Sequence, residues 1–241
     1  MSPFDSAQGR PFDSAQGKGK LSVVATPIGN LEDITLRALR VLKEVDIIAC
    51  EDTRVTRKLL AHYDISKRLI SFHAHSGEEG FENIINLLGE GKHMALVTDA
   101  GTPGVSDPGL EIVSRARGAG AGVDVVPGPS ALAAAVSIAG LRTSSFTFYG
   151  FLPLKKGREK LFKDIASNPR ASIFYESPHR IMKCIESLIN TLPNRRVGLF
   201  RELTKIYEEA LIGTPEEVQA ILNAQPEKQR GEFVVIVESA P

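Results

Sequence analysis

The stretch MALVTDAGTPGVSDPGLEIVSRARGAG, residues 94–120, joins three kinds of sequence in direct succession. MALVT is an apolar run typical of a buried strand, and LEIVSRARGAG has apolar residues at helical spacing. The DAGTPGVSDPG segment between them, residues 99–109, holds three glycines and two prolines. A sharp turn needs fewer such residues. The surplus therefore indicates a loop with a task beyond reversing the chain.

The same succession of strand, loop and helix recurs from Leu21 onward. Amphipathic stretches with helical spacing separate short runs rich in β-branched residues. We predict strands at residues 21–25, 46–50, 68–72, 94–98 and 123–127. Steady alternation of this kind predicts a mainly parallel sheet with helices on both faces. Such a sheet binds ligands at the carboxyl ends of its strands.

The pattern changes near Ser144, where strands follow one another more closely and share fewer helices. This change favours a mixed or antiparallel sheet in a second domain. We predict an α/β protein of two α/β domains, at residues 21–143 and 144–241, with a ligand in the cleft between them. Residues 1–20 contain PFDSAQG twice, and we interpret them as a disordered leader or a sequence artefact outside the fold.

Charge and composition narrow the function classes. Lysine plus arginine and aspartate plus glutamate both number 29, so any nucleic-acid binding must come from local basic patches. Cys50 and Cys184 both lie in apolar segments, which predicts reduced, buried thiols and no zinc framework. The longest apolar run, SALAAAVSIAGL, is too short to span a bilayer. We expect a cytoplasmic protein that does not bind membranes.

Four loops follow predicted strands of the first domain and should lie along one edge of its sheet. They are ATPIGNLEDIT, EDTRVTR, DAGTPGVSDPG and PGPSALAAA. Glycine lets backbone N–H groups approach a ligand closely, and proline fixes the loop shape. The dinucleotide and phosphate-loop glycine fingerprints are both absent from these loops. TPIGN, DAGTP and PGPSA also contain no basic residue, so the predicted pocket suits a neutral or cationic ligand with an adenosine-like part.

Seven motifs, in order and spacing, resemble the tetrapyrrole-methylase superfamily of S-adenosylmethionine-dependent methyltransferases. They are TPIGNLEDIT, EDTR, DAGTPGVSDPG, PGPSAL, GFLP, FYESPHR and RELTK, and the resemblance extends from about Leu21 to Glu238. Within the superfamily they are most similar to members that 2′-O-methylate a cytidine in the decoding region of 16S ribosomal RNA. The resemblance implies S-adenosylmethionine as cofactor, a homodimer, and small-subunit ribosomal RNA or the assembled small subunit as partner.

The resemblance also implies which residues contact the methyl donor. These positions, carried over from the family motifs, are Pro27, Ile28, Asp99, Gly101, Thr102, Val105, Ser130, Ala131 and Tyr175. The family pattern carries a further small helical domain beyond GEFVVIVE, where this sequence stops at Pro241. We expect RNA affinity, more than donor binding, to depend on that domain.

Methyl transfer from a sulfonium is an in-line displacement in which positioning supplies much of the catalysis. A ribose hydroxyl is a weak nucleophile, so a base or an oriented hydrogen bond helps as its proton leaves. Glu176 and Glu202 are the candidate bases. The candidate RNA contacts are Arg54, Arg180, Arg201, Lys205 and, in the run KKGREKLFK, Lys155, Lys156 and Arg158. The alternative is that these charges form structural ion pairs or a solvated helix face.

Three histidines are further candidates for functional residues. His73 and His75 in FHAHS share a face at strand spacing, which suits a metal, but no third ligand is evident and a loop is the preferred interpretation. We therefore expect no metal site. His179 borders the expected cleft, either fixing SPHR through a hydrogen bond or taking part in acid and base chemistry.

The sequence is also compatible with two other functions. The first is a small-molecule methylase of the corrin or siroheme kind on the same fold. The second is a non-catalytic RNA-binding module. TPIGN in place of a more glycine-rich first loop, together with YESPHR and RELTK, favours RNA methylation.

Overall fold

A computed structural model describes residues 17–72, 77–106 and 109–240. Within these residues the chain forms two compact units, one of residues 17–26 and 34–128 and the other of residues 27–33 and 129–240. The sequence predicts a domain boundary between residues 143 and 144, which is later in the chain than the division between residues 128 and 129. That domain boundary stays a prediction. Most of the proposed leader, residues 1–16, lies outside the described residues.

The first unit alternates strands and helices. Its strands are β1 (Lys20–Val24), β2 (Ile47–Cys50), β3 (Arg68–Ser71), β4 (His93–Leu96) and β5 (Gly122–Val126). Its helices are α1 (Leu36–Glu44), α2 (Thr53–His62), α3 (Gly77–Gly89) and α4 (Gly109–Gly118). All strand pairs are parallel, in the order β3-β2-β4-β1-β5. The predicted mainly parallel sheet is confirmed.

Alternate residues of the central strands pack on opposite faces of this sheet. In β2, Ile48 packs with the apolar side chains of α1 and α2, whereas Ile47 and Ala49 pack with those of α3 and α4. Strand β2 is apolar at every position because both of its faces are covered. The prediction of helices on both faces is therefore correct.

The second unit contains fewer helices per strand. Its strands are β6 (Phe146–Phe151), β7 (Ala171–Glu176), β8 (Val197–Arg201), β9 (Glu209–Gly213) and β10 (Phe233–Val237). Its helices are α5 (Ala131–Ile138), α6 (Arg158–Ser167), α7 (Ile181–Thr191) and α8 (Pro215–Ala224), with short 3₁₀ helices at Leu31–Asp33 and Pro226–Gln229. The strand order is β6-β7-β10-β8-β9; β6 and β7 are parallel and the other pairs are antiparallel. The sheet is mixed, as predicted.

This second sheet is also covered on both faces. Helices α6, α7 and α8 pack on one face, where Phe174 of β7 lies. Helix α5 packs on the other face with Ile173 and Phe200. Cys184 lies in the first of these clusters, and Cys50 lies in the core of the first unit. Both thiols are free and buried, as the sequence predicts. In the described part of the chain, no helix is long and apolar enough to cross a bilayer.

A polar cluster lies at the amino end of the first sheet, on the edge opposite the four loops. His93 Nε2 is 2.9 Å from the hydroxyl of the fully buried Ser22. Lys20 and Asp124 form an ion pair of 2.8 Å beside it. Burial lowers the pKa of His93, and the Lys20 charge lowers it further. The opposing carboxylates are Asp124, Asp46 and Glu44.

Lowering the pH is expected to destabilise the fold through His93. Its folded pKa lies below the unfolded value of about 6.5, so the unfolded chain takes up the proton first as the pH falls. The contribution of His93 to the unfolding free energy is fully present above that value and declines below it. Urea denaturation at about pH 7.5 and about pH 5.5 tests this. His93→Gln should lose less stability between the two pH values than the parent does; an equal loss would contradict the assignment.

Candidate functional site

Hydrogen bonds join the loops that follow β1 and β4. Thr26, just beyond β1, and Gly101 exchange two backbone hydrogen bonds of 2.9 and 3.1 Å. The buried Thr26 hydroxyl also donates to the Thr98 carbonyl, at 3.0 Å. These hydrogen bonds fix the DAGTPG loop, which follows β4, to the end of β1. This attachment gives it a defined shape that a plain connection between β4 and α4 would not need.

Backbone conformation explains the glycines of this loop. Gly101 has φ of +90° and Gly104 has φ of +86°, a region that L side chains rarely adopt. Pro103 is buried and Thr102 and Val105 are half-buried. The structure therefore gathers four of the predicted donor contacts, Asp99, Gly101, Thr102 and Val105, in one fixed loop. Pro108, expected to hold the loop, lies outside the described residues.

Carboxylates lie along the same edge. Asp99 is exposed and its carboxylate accepts a hydrogen bond of 3.0 Å from the backbone N–H of Asp52. The Thr98 hydroxyl donates to the Glu51 carboxylate at 3.2 Å. Asp52 caps α2 and binds Arg54 at 2.6 Å, and this side-chain hydrogen bond is the main reason that the pKa of Asp52 is lowered to about 2. Because Arg54 offsets the charge of Asp52, the Glu51 and Asp99 carboxylates are the ones that make this edge suit a positively charged ligand better than a phosphate.

In the second unit, predicted donor contacts meet at the N-terminus of α5. Ser130 is the N-cap residue, but its side chain makes no capping hydrogen bond to the helix. The Tyr175 hydroxyl interacts instead with the Ser130 side chain and the backbone of Leu132. Burial raises the pKa of Tyr175 in spite of these two hydrogen bonds, so the phenol is neutral. Ile28 and Ala131, like Tyr175, pack against the apolar cluster that contains Ile173 and Phe200.

The TPIGN loop packs on RELTK, a contact that sequence reasoning missed. The Asn30 N–H donates to the Thr204 hydroxyl at 3.1 Å, across 174 residues. A Cβ on Gly29 would lie 2.5 Å from Lys205 Cγ and 2.8 Å from Thr204 Oγ1. Gly29 is therefore required by close packing rather than by a turn. No local pattern in either motif indicates this pairing.

Gly29→Ala is expected to lower the unfolding free energy by about 1–3 kcal/mol, because the new methyl group must displace residues 203–205. Denaturant unfolding measures the loss. Gly118→Ala is the matched control, since a Cβ there meets nothing within 4 Å. Equal stability of the two variants would contradict this packing.

Glu202 has more partners than a free base would have. Its carboxylate accepts hydrogen bonds of 3.0 Å from both the Lys205 ammonium and the Glu232 N–H. Burial alone would raise the pKa of Glu202, but these two donors outweigh it and the pKa is lowered. The carboxylate is ionised near neutral pH. Lys205 also pairs with Glu232 at 2.8 Å, so both of its partners compete with RNA phosphates.

Glu176 is enclosed completely. Its side chain is fully buried and forms ion pairs with Arg158 at 2.7 Å and with Arg180 at 2.8 Å. The Ser177 N–H donates a further hydrogen bond at 2.8 Å. This geometry supports the ion-pair interpretation of Glu176, Arg158 and Arg180. Their catalytic and RNA-binding roles stay untested predictions.

The remaining predicted RNA contacts fall into two groups. Arg201 is buried, and its guanidinium donates to the backbone carbonyls of Tyr207 at 3.2 Å and Arg230 at 3.3 Å. Arg54, Lys155 and Lys156 are exposed. Strand periodicity predicts the face of β8 on which Arg201 lies. It does not predict that backbone carbonyls accept the hydrogen bonds of its guanidinium group.

The histidines add nothing to the described site. His73 and His75, whose spacing suits a metal, lie outside the described residues, and His179 is exposed. Among the residues that the structure does describe, no group of three or more His, Cys, Asp or Glu side chains could hold a metal ion.

Comparison with known proteins gives one family and a consistent set of relatives. The family of tetrapyrrole (corrin/porphyrin) methylases matches residues 20–219. A ribosomal RNA small subunit methyltransferase I from Halalkalibacterium halodurans is 49% identical, over 92% of this chain and 76% of that protein. The protein of the same name from Thermotoga maritima is 44% identical, over 91% of this chain and 98% of that protein. That from Escherichia coli O157:H7 is 46% identical, over 92% and 78%.

Solved structures share the fold at lower identity. A cobalt precorrin-4 methyltransferase has a TM-score of 0.68 at 18% identity, covering 91% of this chain and 94% of that one. A uroporphyrin-III C-methyltransferase from Thermus thermophilus, complexed with S-adenosylhomocysteine, has a TM-score of 0.62 at 20% identity, covering 91% and 97%. Similarity at these identities shows the fold alone, and it agrees with the predicted fold class.

Proposed function

This chain belongs to the tetrapyrrole (corrin/porphyrin) methylase family, as its motifs predict, and we propose that it methylates the ribose 2′-hydroxyl of a cytidine in the decoding region of 16S ribosomal RNA. The observation that carries the proposal is the 44–49% identity, over 91–92% of the chain, to relatives named ribosomal RNA small subunit methyltransferase I. The methyl donor is S-adenosylmethionine, and the substrate is free small-subunit RNA or the assembled subunit.

The residues present fit this donor. S-adenosylmethionine, when bound, would supply an electrophilic methyl group on a positively charged sulfur. Two carboxylates at the edge of the first sheet, Glu51 and Asp99, complement a positive charge. Gly101 adopts a φ of +90°, and its two backbone hydrogen bonds with Thr26 fix the shape of the loop beside these carboxylates. The residues proposed to hold the donor are Pro27, Ile28, Asp99, Gly101, Thr102, Val105, Ser130, Ala131 and Tyr175.

Positioning of the two reactants supplies most of the catalysis in an in-line displacement. We assign Glu202, rather than Glu176, to the proton that the ribose hydroxyl loses. Glu202 is ionised and retains some exposure, whereas the Glu176 carboxylate is fully buried between two arginines. A lowered pKa makes Glu202 a weak base, so its contribution is an oriented hydrogen bond to the hydroxyl more than full proton removal.

Glu202→Gln is expected to lower kcat about 100-fold, because a neutral amide oxygen accepts a weaker hydrogen bond from the ribose hydroxyl than a carboxylate does and does not offset the positive charge that develops as the proton leaves. Donor affinity should stay unchanged. Single-turnover methylation measures the rate, with the exposed Glu216→Gln as control. Alanine variants of Glu176, Arg54 and Arg201 are measured beside it. Turnover at the parent rate in all four site variants would contradict the assignment of bases and RNA contacts.

A small-molecule substrate of the corrin or siroheme kind is the second candidate, because the family description and the fold fit it equally. A non-catalytic RNA-binding module is the third. Incubation with radiolabelled S-adenosylmethionine separates them when four substrates run in parallel: small subunits lacking their native methylation, free 16S RNA, uroporphyrinogen III and no substrate. We expect label in RNA. Label in the tetrapyrrole, or donor binding without transfer, would contradict the proposal.

We also propose a homodimer located in the cytoplasm, as the family resemblance implies. Sedimentation of the purified chain tests the dimer, and fractionation of cells tests the location. A monomer at micromolar concentration would contradict the first statement.

A further inference from the structure

Strand β6 contains a bulge that turns Phe151 toward Tyr175. Phe148 lies opposite Ile173 of β7, and Phe151 lies opposite Tyr175, so three steps in β6 match two steps in β7. Gly150, with φ of +61°, lies within this irregularity. Because side chains alternate along a strand, one extra residue brings Phe148 and Phe151 to the same face.

Both phenyl rings contact Tyr175 edge to face. The ring centroids of Phe148 and Phe151 lie 5.1 and 5.3 Å from that of Tyr175. Their surroundings differ, however. Phe148 packs against the apolar cluster under α5, whereas Phe151 is 59% exposed. Phe151 is therefore supported by Tyr175 on one side and largely open to solvent elsewhere.

The chain that follows Phe151 is held by a buried clamp. Arg180 donates to the Leu152 carbonyl at 3.1 Å, and Arg158 donates to the Pro153 carbonyl at 3.3 Å. Both guanidinium groups are anchored by ion pairs to Glu176. The bulge fixes one side of Phe151 and the clamp fixes the other. A ring held in this way loses little conformational freedom when it binds a partner.

Positive charge lies immediately beyond the clamp. Leu154 is 75% exposed, and Lys155 and Lys156 are exposed as well. Among the residues that the structure describes, no carboxylate pairs with either lysine. The exposed segment thus combines an aromatic ring with two available cations, which is the combination that binds single-stranded nucleic acid through base stacking and phosphate contacts.

We propose that Phe151 is a stacking platform for an unpaired base of the substrate RNA, with Lys155 and Lys156 on the adjacent phosphates. The inference rests on the proposed function, because it requires an RNA substrate. It adds a substrate-binding residue that the charged motifs did not indicate. It also gives Glu176 a positioning role, since this carboxylate holds both arginines of the clamp.

The chain contains no tryptophan, so Phe151→Trp introduces a single fluorescent reporter. Titration with a single-stranded cytidine-rich RNA oligonucleotide should quench its emission in a saturable way, because a stacked base quenches indole. Phe146→Trp is the matched control, an exposed aromatic position at the other end of β6. Its emission should stay unchanged. Equal quenching of the two reporters, or none in Phe151→Trp, would overturn the inference.

A second measurement uses methyl transfer to unmethylated small subunits. Phe151→Ala should raise the KM for the subunit about tenfold, Phe151→Tyr should restore it, and the Kd for the donor should not change. Lys155→Ala should reduce the salt dependence of binding, which Phe151→Ala should leave intact. An unchanged KM in Phe151→Ala would overturn the inference. A Phe151→Ala variant that loses self-association but binds RNA as the parent does would overturn it as well. Failure of the proposed function appears separately, as absence of methyl transfer by the unaltered chain while quenching by RNA persists.

Discussion

Thr102→Arg is expected to weaken binding of S-adenosylmethionine by about 100-fold or more, because Thr102 is a proposed donor contact, where an arginine would add a second positive charge near the sulfonium. Thr102 is half-buried in the loop that Thr26 and Gly101 hold at the edge of the first sheet. Backbone hydrogen bonds between Thr26 and Gly101 hold the loop whatever side chain residue 102 carries. Donor binding should therefore be lost while the unfolding transition stays close to that of the parent. Calorimetric titration with the donor and denaturant unfolding measure the two quantities.

Two companion variants make this result specific. Thr102→Ser keeps a hydroxyl at the same position and should bind the donor within a few-fold of the parent. Gly101→Val should also abolish binding, but the φ of +90° at Gly101 strains any L residue, so this variant loses stability as well. Normal donor binding by Thr102→Arg would contradict a role of the DAGTPGVSDPG loop in donor binding and leave it only the role of reversing the chain.

Glu176→Ala is expected to lower the unfolding free energy by about 3–5 kcal/mol, because it leaves Arg158 and Arg180 without their shared carboxylate in a largely buried setting. The loop carbonyls of Leu152 and Pro153 would lose their fixed donors at the same time. Urea denaturation measures the loss. Glu186→Ala, at an exposed position of α7, should change stability by less than about 0.5 kcal/mol.

The same variant separates the two roles considered for Glu176. A purely catalytic carboxylate could be replaced without loss of stability, and methyl transfer alone would then fall. A stable Glu176→Ala variant would thus contradict the clamp. It would also return Glu176 to the candidate bases.

The sheets follow from local sequence because each strand has its own signal. Apolar runs such as MALVT form strands that are buried on both faces of the sheet. Because these strands are parallel, the loops that follow them reach one edge of the sheet. Strand β6, FTFYGF, is rich in aromatic residues, and the glycine inside it is the usual sign of a bulge. What that bulge does to Phe151 depends on the register with β7, which the sequence of β6 alone does not contain.

Partners distant in sequence could not be predicted. The segment at residues 27–33 belongs with the second unit because Asn30 and Gly29 pack on residues 203–205. Neither TPIGN nor RELTK contains a sequence pattern that indicates the other as its packing partner. Charged motifs had the same ambiguity: RELTK and YESPHR indicated RNA contacts, but burial and nearby carbonyls or carboxylates take up most donors of Arg201 and Arg180. Sequence alone identifies the residue types at the site, and the fold decides which of them remain available.

The most direct test of the central claim is to locate the transferred methyl group. The chain is incubated with labelled S-adenosylmethionine and small ribosomal subunits that lack their native methylation, and the RNA is then digested to nucleosides and, separately, by alkali. The account predicts label in 2′-O-methylcytidine, within an alkali-resistant dinucleotide from one position of the decoding region. Label on a nucleobase, or no label in RNA from a chain that binds the donor, would contradict it.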